Sequence, residues 1–153
     1  MNNALLVFHE RNHYFGFLSN DFERYFPADK TWIFPSSHSK YIWEFKEDNI
    51  PLEGSFVHPG ILFDFPKVSF DQSGYIFVKN LQNRSSMGIF MNNFVTQIAL
   101  NKITNKKLEV DQMKSFPKSY PRSVFKYVQQ YKRRSIFVID PLKLFNAYHI
   151  PLS

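Results

Sequence analysis

The chain of 153 residues has no cysteine, only five glycines, and no apolar run long enough to span a bilayer. Without cysteine there are no disulfides, no thiolate zinc sites, no thiol nucleophile and no iron–sulfur cluster. A small secreted domain would more often be stapled by disulfides, so a soluble, cytoplasmic protein is expected. With so few glycines there is no glycine-rich phosphate loop and no nucleophile elbow. The only N-terminal apolar run, residues 4–8, has no positive charge before it, so no secretory leader is expected there. Repeats, linkers and low-complexity tracts are absent as well. The length then suits one domain, residues 1–153, since single domains hold roughly 100–200 residues.

Aromatic residues and segregated charge are what the sequence has in excess. It carries 18 Phe, 8 Tyr and 2 Trp, and 44% of its residues are hydrophobic. That composition offsets the entropy of ordering a chain and excludes disorder. Net charge is +6, unevenly spread. Residues 1–75 hold 6 basic and 10 acidic side chains, whereas residues 76–153 hold 13 basic and 3 acidic. Residues 102–134 alone hold ten basic side chains against Glu109 and Asp111. Lys106, Lys107, Arg122, Lys126 and Arg133 are therefore candidate anion or nucleic-acid contacts, because Lys and Arg neutralise phosphates. The alternatives are a solubilising face and a patch that steers a charged protein partner.

Periodicity outlines the elements. Apolar stretches 4–8 and 14–18 flank a polar segment and read as a hairpin turning near residues 11–12. Residues 19–35, punctuated by Pro27 and Pro35, read as loop. Residues 40–46 alternate as a strand does, but Ser36 and Ser37 ahead of them suit a helix cap, and a short helix is favoured. Segments 55–58, 61–65, 68–70 and 75–79 read as short strands. Met87, Met91, Phe94 and Ile98 recur at helical spacing and predict a helix over 85–103. A second helix is predicted over 119–134, entered through Pro121 and carrying Tyr120, Val124, Tyr127, Val128 and Tyr131 on one face. Residues 135–140 read as a buried strand that Asp140 and Pro141 terminate, and 142–150 as a short helix or strand. The expected class is α+β, an antiparallel or mixed sheet against two main helices.

Three patterns bear on chemistry. His9-Glu10-Arg11-Asn12-His13 matches HExxH and resembles the zincin metalloprotease motif, which implies His9 and His13 as zinc ligands. That chemistry needs a helix to bring both imidazoles to one face. Strand-like flanks and a turn between the two histidines favour a hairpin tip instead. Asp29 followed by Glu44-Phe45-Lys46 resembles the PD-(D/E)xK nucleases, which implies a divalent metal such as Mg held by the two acids, with Lys46 orienting water. Phe17-Leu18-Ser19-Asn20 with Phe34-Pro35-Ser36-Ser37-His38 resembles part of the NADAR N-glycosidases over about a quarter of the chain. Ser37 departs from that family's acidic residue, its late Trp-Gly element has no counterpart, and no assignment is made on it.

The segment holding Phe22, Tyr25, Phe26, Trp32 and Phe34 is aromatic and bounded by proline. It is a candidate partner-binding patch, or a lid folded back on the sheet. The favoured reading is a non-enzymatic protein-interaction module of the immunity or antitoxin kind, with no cofactor. The alternative is a nucleic-acid-binding protein or metal-dependent nuclease using the basic second half. Oligomeric state is not legible.

Overall fold

The computed structural model describes residues 3–10, 13–35, 42–47, 53–58, 74–79, 86–91, 94–109 and 122–147. In chain order the strands are β1 (Ala4–Glu10), β2 (His13–Leu18), β3 (Arg24–Pro27), β4 (Thr31–Pro35), β5 (Trp43–Glu47) and β6 (Glu53–Val57). They continue with β7 (Tyr75–Lys79), β8 (Ser86–Met91), β9 (Phe94–Ala99), β10 (Lys107–Leu108), β11 (Phe125–Tyr131) and β12 (Arg134–Ile139), and α1 (Pro141–Ala147), the one α-helix among the described residues, follows. The chain divides into two compact units: unit 1 is Met1–Asp21 with Asn93–Ala147, and unit 2 is Phe22–Asn92 with Tyr148–Ser153.

The expected α+β class is thereby corrected, since the described residues are mostly strand and neither predicted helix forms. Residues 85–103 hold β8, β9 and a 3-10 turn at Leu100–Lys102. Their helical spacing is fortuitous. In β8, Met87, Ile89, Phe90 and Met91 are all buried, so the strand shows no alternation. Residues 119–134 hold a 3-10 turn at Arg122–Val124, then β11 and the start of β12. The expected loop 19–35 contains β3 and β4, and the favoured helix at 40–46 is β5. The expected strands 61–65 and 68–70 lie outside the described residues. The predicted N-terminal hairpin forms as β1–β2, with Glu10 opposite His13. The predicted strand at 135–140 forms as β12.

Unit 2 is one six-stranded sheet in the order β3-β7-β8-β6-β5-β4. Its two terminal strands, β3 and β4, are joined by only three residues, Ala28–Lys30. Such a link reaches at most about 14 Å, whereas six flat strands would be about 24 Å across. The sheet must therefore curl until its ends meet. The Phe26 and Phe45 rings show this, lying 6.4 Å apart although three strands intervene in the sheet. Inside sit Phe26, Phe45, Phe56, Ile76, Val78 and Phe90, with Ile33 and Trp43 packed on them.

Unit 1 is also a six-stranded sheet, in the order β10-β11-β12-β2-β1-β9, with β12 and β2 parallel. It curls so that Ile98 of β9 joins Leu5, Val7, Ile136 and Val138 in one core, with Tyr14, Tyr127 and Tyr131 packed against it. The opposite face carries Phe8, Phe15, Phe17, Phe125 and Phe137, all buried, with rings 5.5–6.2 Å apart. Burial on both faces is how the chain houses so many phenylalanines. The strand run ends at Asp140, whose carboxylate accepts the Leu142 and Lys143 N–H groups at 3.1 and 3.4 Å. Asp140 caps α1, and Pro141 takes the first helical position.

The β11–β12 hairpin turns through Lys132 and Arg133, with φ of 47° and 64°. Two left-handed central residues define a type I′ turn, which favours Asn-Gly. A non-glycine residue in this region costs on the order of 1 kcal/mol. Lys132→Asn/Arg133→Gly is therefore expected to raise unfolding stability by about 1–2 kcal/mol, read as a higher urea midpoint at unchanged slope. In unit 2, a Cβ on Gly88 would lie 3.0 Å from Ile76 Cγ2, 3.1 Å from the Phe77 carbonyl and 3.3 Å from Phe56 Cβ. Gly88→Ala is expected to cost about 1–3 kcal/mol in the same measurement.

Candidate functional site

Two surfaces stand out, one in each unit. In unit 1, β9 is the last strand of its sheet and pairs only with β1 among the described residues. Alternate N–H and C=O groups of an edge strand point away from its one neighbour. Along this edge runs a cavity of about 810 Å³, lined by Thr96, Gln97, Ile98, Ala99, Lys102, Tyr131, Lys132 and Arg134. One wall is strand backbone, and the other is the strained hairpin tip. Cations sit on tyrosine rings around it, with Arg134 4.6 Å from the Tyr14 centroid and Lys132 5.4 Å from that of Tyr131. Unit 1 as a sequence segment carries 12 basic and 5 acidic side chains, net +7; unit 2 carries 7 and 8, net −1.

In unit 2, strands β3, β4 and β7 carry exposed aromatic side chains. Tyr25 is 62% exposed, Trp32 64%, Phe34 44% and Tyr75 37%. Tyr25 stacks on Phe77 at 5.5 Å and meets Tyr75 edge-on at 5.7 Å, and Phe22 lies 5.6 Å from Phe77. Trp32 stands opposite Lys46 and Phe34 opposite Glu44, so charges border the second pair.

Of the five residues predicted to bind a partner, Phe22 is half-buried beside Phe77, and Tyr25, Trp32 and Phe34 face outward on β3 and β4. Phe26 does not, because strand alternation sends it into the core, where it is 8% exposed. The five predicted anion contacts share no helix face, since the segment is β. Lys106 and Lys107 are held beside β11, where the Gln129 amide nitrogen donates to the Asn105 carbonyl at 3.0 Å. Lys107 lies over the Tyr127 ring at 4.6 Å. Lys126 occupies an irregularity in β11 and forms an ion pair with Asp21 at 2.9 Å. Arg122 lies in the 3-10 turn before β11, and Arg133 at the hairpin tip.

Strand register places the candidate metal ligands. His9 packs on Tyr14 at 4.8 Å, whereas His13 packs on Phe15 and Phe137 at 6.4 and 6.3 Å. The two imidazoles occupy opposite faces of a β-hairpin and cannot share an ion, as the hairpin reading expected. Glu44 and Lys46 do share one face of β5, but Asp29 lies on the exposed 3-10 turn after β3. No group of three His, Asp or Glu residues able to hold a metal occurs among the described residues. Ser19 is structural, accepting the Ala4 N–H at 2.9 Å and donating to Asn3 at 3.1 Å. His38 lies outside the described residues. Both walls of the groove escaped the sequence reading, because residues 96–102 and 131–134 were assigned to helices.

These features define an all-β protein of two curled six-stranded sheets with surface sites suited to binding. No protein-family model matches the chain, and no curated protein sequence does. Among solved structures it is similar to the scaffolding protein TtCheW from Thermoanaerobacter tengcongensis. The TM-score is 0.63 over 92% of this chain and 90% of that one, at 11% identity. The likeness is one of fold. No helix among the described residues is long and apolar enough to cross a membrane.

Burial first, and the Asp21 carboxylate second, raise the Tyr127 phenol above its ordinary 10.0. Below about pH 10 the folded and unfolded chains both keep this proton, so it adds no pH dependence. Above that, the unfolded chain releases it first and stability falls as pH rises. Tyr127→Phe is expected to lose less stability than wild type between about pH 9 and about pH 11, measured by urea unfolding at both values.

Proposed function

We propose that the chain is a protein-interaction module whose outward aromatic side chains in unit 2 bind a partner protein. The observation that carries this is the exposure of Tyr25, Trp32 and Phe34 on the two strands that end one sheet, and of Tyr75 on β7 next to β3. Exposed aromatic rings held on a rigid strand frame give large contact area at small entropic cost, and Trp and Tyr dominate interface hot spots. Glu44 and Lys46 beside Phe34 and Trp32 supply a polar rim. A fold shared with a scaffolding protein supports the same reading. An immunity or antitoxin role would be one form of such a module, and nothing in the fold or its neighbour favours that form.

The test is affinity capture from the native cell with quantitative mass spectrometry, comparing wild type with Trp32→Ser/Phe34→Ser, Tyr25→Ser/Tyr75→Ser and a Lys126→Ala control. Proteins retained by wild type and the control are expected to drop by about ten-fold or more with at least one aromatic variant. Equal recovery by all four proteins, each folded by circular dichroism, overturns the reading.

A further inference from the structure

We infer that the β9 groove of unit 1 is a second docking site, which takes an acidic, extended segment of a partner protein as an added strand. It stands on unit 1 alone and does not depend on the aromatic surface of unit 2.

Three observations converge on this occupant. The first is the edge itself. No strand covers the outer side of β9 among the described residues, and natural edges are normally blunted by proline, inward charge or very short length. β9 has six residues, no proline and no charge. An extended segment pairing here gains main-chain hydrogen bonds, as in other strand-addition complexes.

The second is charge. Lys102, Lys132 and Arg134 line the groove, and none pairs with a carboxylate among the described residues. Arg134 and Lys132 rest on tyrosine rings, so their heads are positioned while donor N–H groups stay available. Successive side chains of an added strand alternate in direction, so acids at every second position would meet this wall.

The third is strain. Lys132 and Arg133 both occupy left-handed backbone at a turn that Asn-Gly would fill without penalty. Two cations kept there at a cost in stability mark a tip whose side chains are used. The strongly basic balance of unit 1 would also steer an acidic segment toward the groove.

The probe is a fluorescein-labelled octapeptide of alternating Thr and Glu, titrated with the full chain and read by anisotropy. A Pro-Glu octapeptide keeps the charge but lacks half the backbone N–H groups, and oligothymidylate supplies a non-peptide polyanion. The Thr-Glu peptide is expected to bind, to slow amide hydrogen exchange at residues 96–99, and to bind about ten-fold more tightly than the Pro-Glu peptide. Lys102→Glu/Lys132→Glu/Arg134→Glu is expected to weaken it about ten-fold or more, while Trp32→Ser/Phe34→Ser binds as wild type does. Lys132→Asn/Arg133→Gly is expected to bind more weakly although it unfolds at higher urea. A merely structural turn would not give that combination. Four results overturn the proposal: no binding of the Thr-Glu peptide, equal binding of the Pro-Glu peptide, tighter binding of oligothymidylate with the same protected amides, or loss of binding in the Trp32/Phe34 variant. A stabilised turn variant with unchanged affinity overturns the role given to Lys132 and Arg133.

Discussion

Closure of the unit 2 sheet by the link Ala28–Lys30 is the constraint from which its surface follows. Because three residues join the first and last strands, the sheet has an inside and an outside along its whole length. Alternation then assigns every side chain of β3 and β4. Phe26 and Ile33 pack in the core, while Tyr25, Trp32 and Phe34 have no interior left to enter. The exposed aromatics are thus held on paired backbone, not on a loop. Positions fixed in this way lose little freedom when they bind.

Unit 1 meets the same geometry with a different outcome. Its sheet curls, but its terminal strand β9 faces the tip of the β11–β12 hairpin across a groove instead of joining it. The hairpin is anchored well back from the tip. Gln129 draws the β10 segment against β11, and Lys126 is tied to Asp21. The tip residues therefore project from a firm base. Two surfaces of different chemistry result, one aromatic with a mixed-charge border and one cationic with open backbone.

What could be read in the sequence depended on how each strand is buried. The β1–β2 hairpin was legible because apolar runs flank a short polar turn. The strand at 134–139 was legible because it is apolar and bounded by turn residues. Residues 86–99 misled because β8 is buried on both faces and so lacks the period of two. The sequence signal there was the polar pair Asn92-Asn93 between two mostly apolar six-residue runs. Residues 122–139 misled because the turn carries Lys132 and Arg133 where a hairpin normally shows Gly or Asn. Pro27 and Pro35 pointed to loop, although proline is admissible on terminal strands such as β3 and β4. For the sites, outward aromatics near residues 22–34 were legible from composition. The β9 groove was not, since its walls come from two segments, 96–102 and 131–134, that are far apart in the chain.

The order of the chain through the two units has a consequence for synthesis on the ribosome. Strands β1 and β2 emerge first, yet β2 receives its parallel neighbour β12 only when nearly all of the chain has been made. The whole of residues 22–92 is translated in between and can complete its own sheet meanwhile. Until β9 arrives to pair with β1, the two-stranded hairpin bearing Phe8, Phe15 and Phe17 has too little partner surface to be stable by itself, and β2 stays unpaired on its other side until β12 is made. The face of β2 that bears Phe15 and Phe17 thus lacks its Phe137 neighbour until β12 is made.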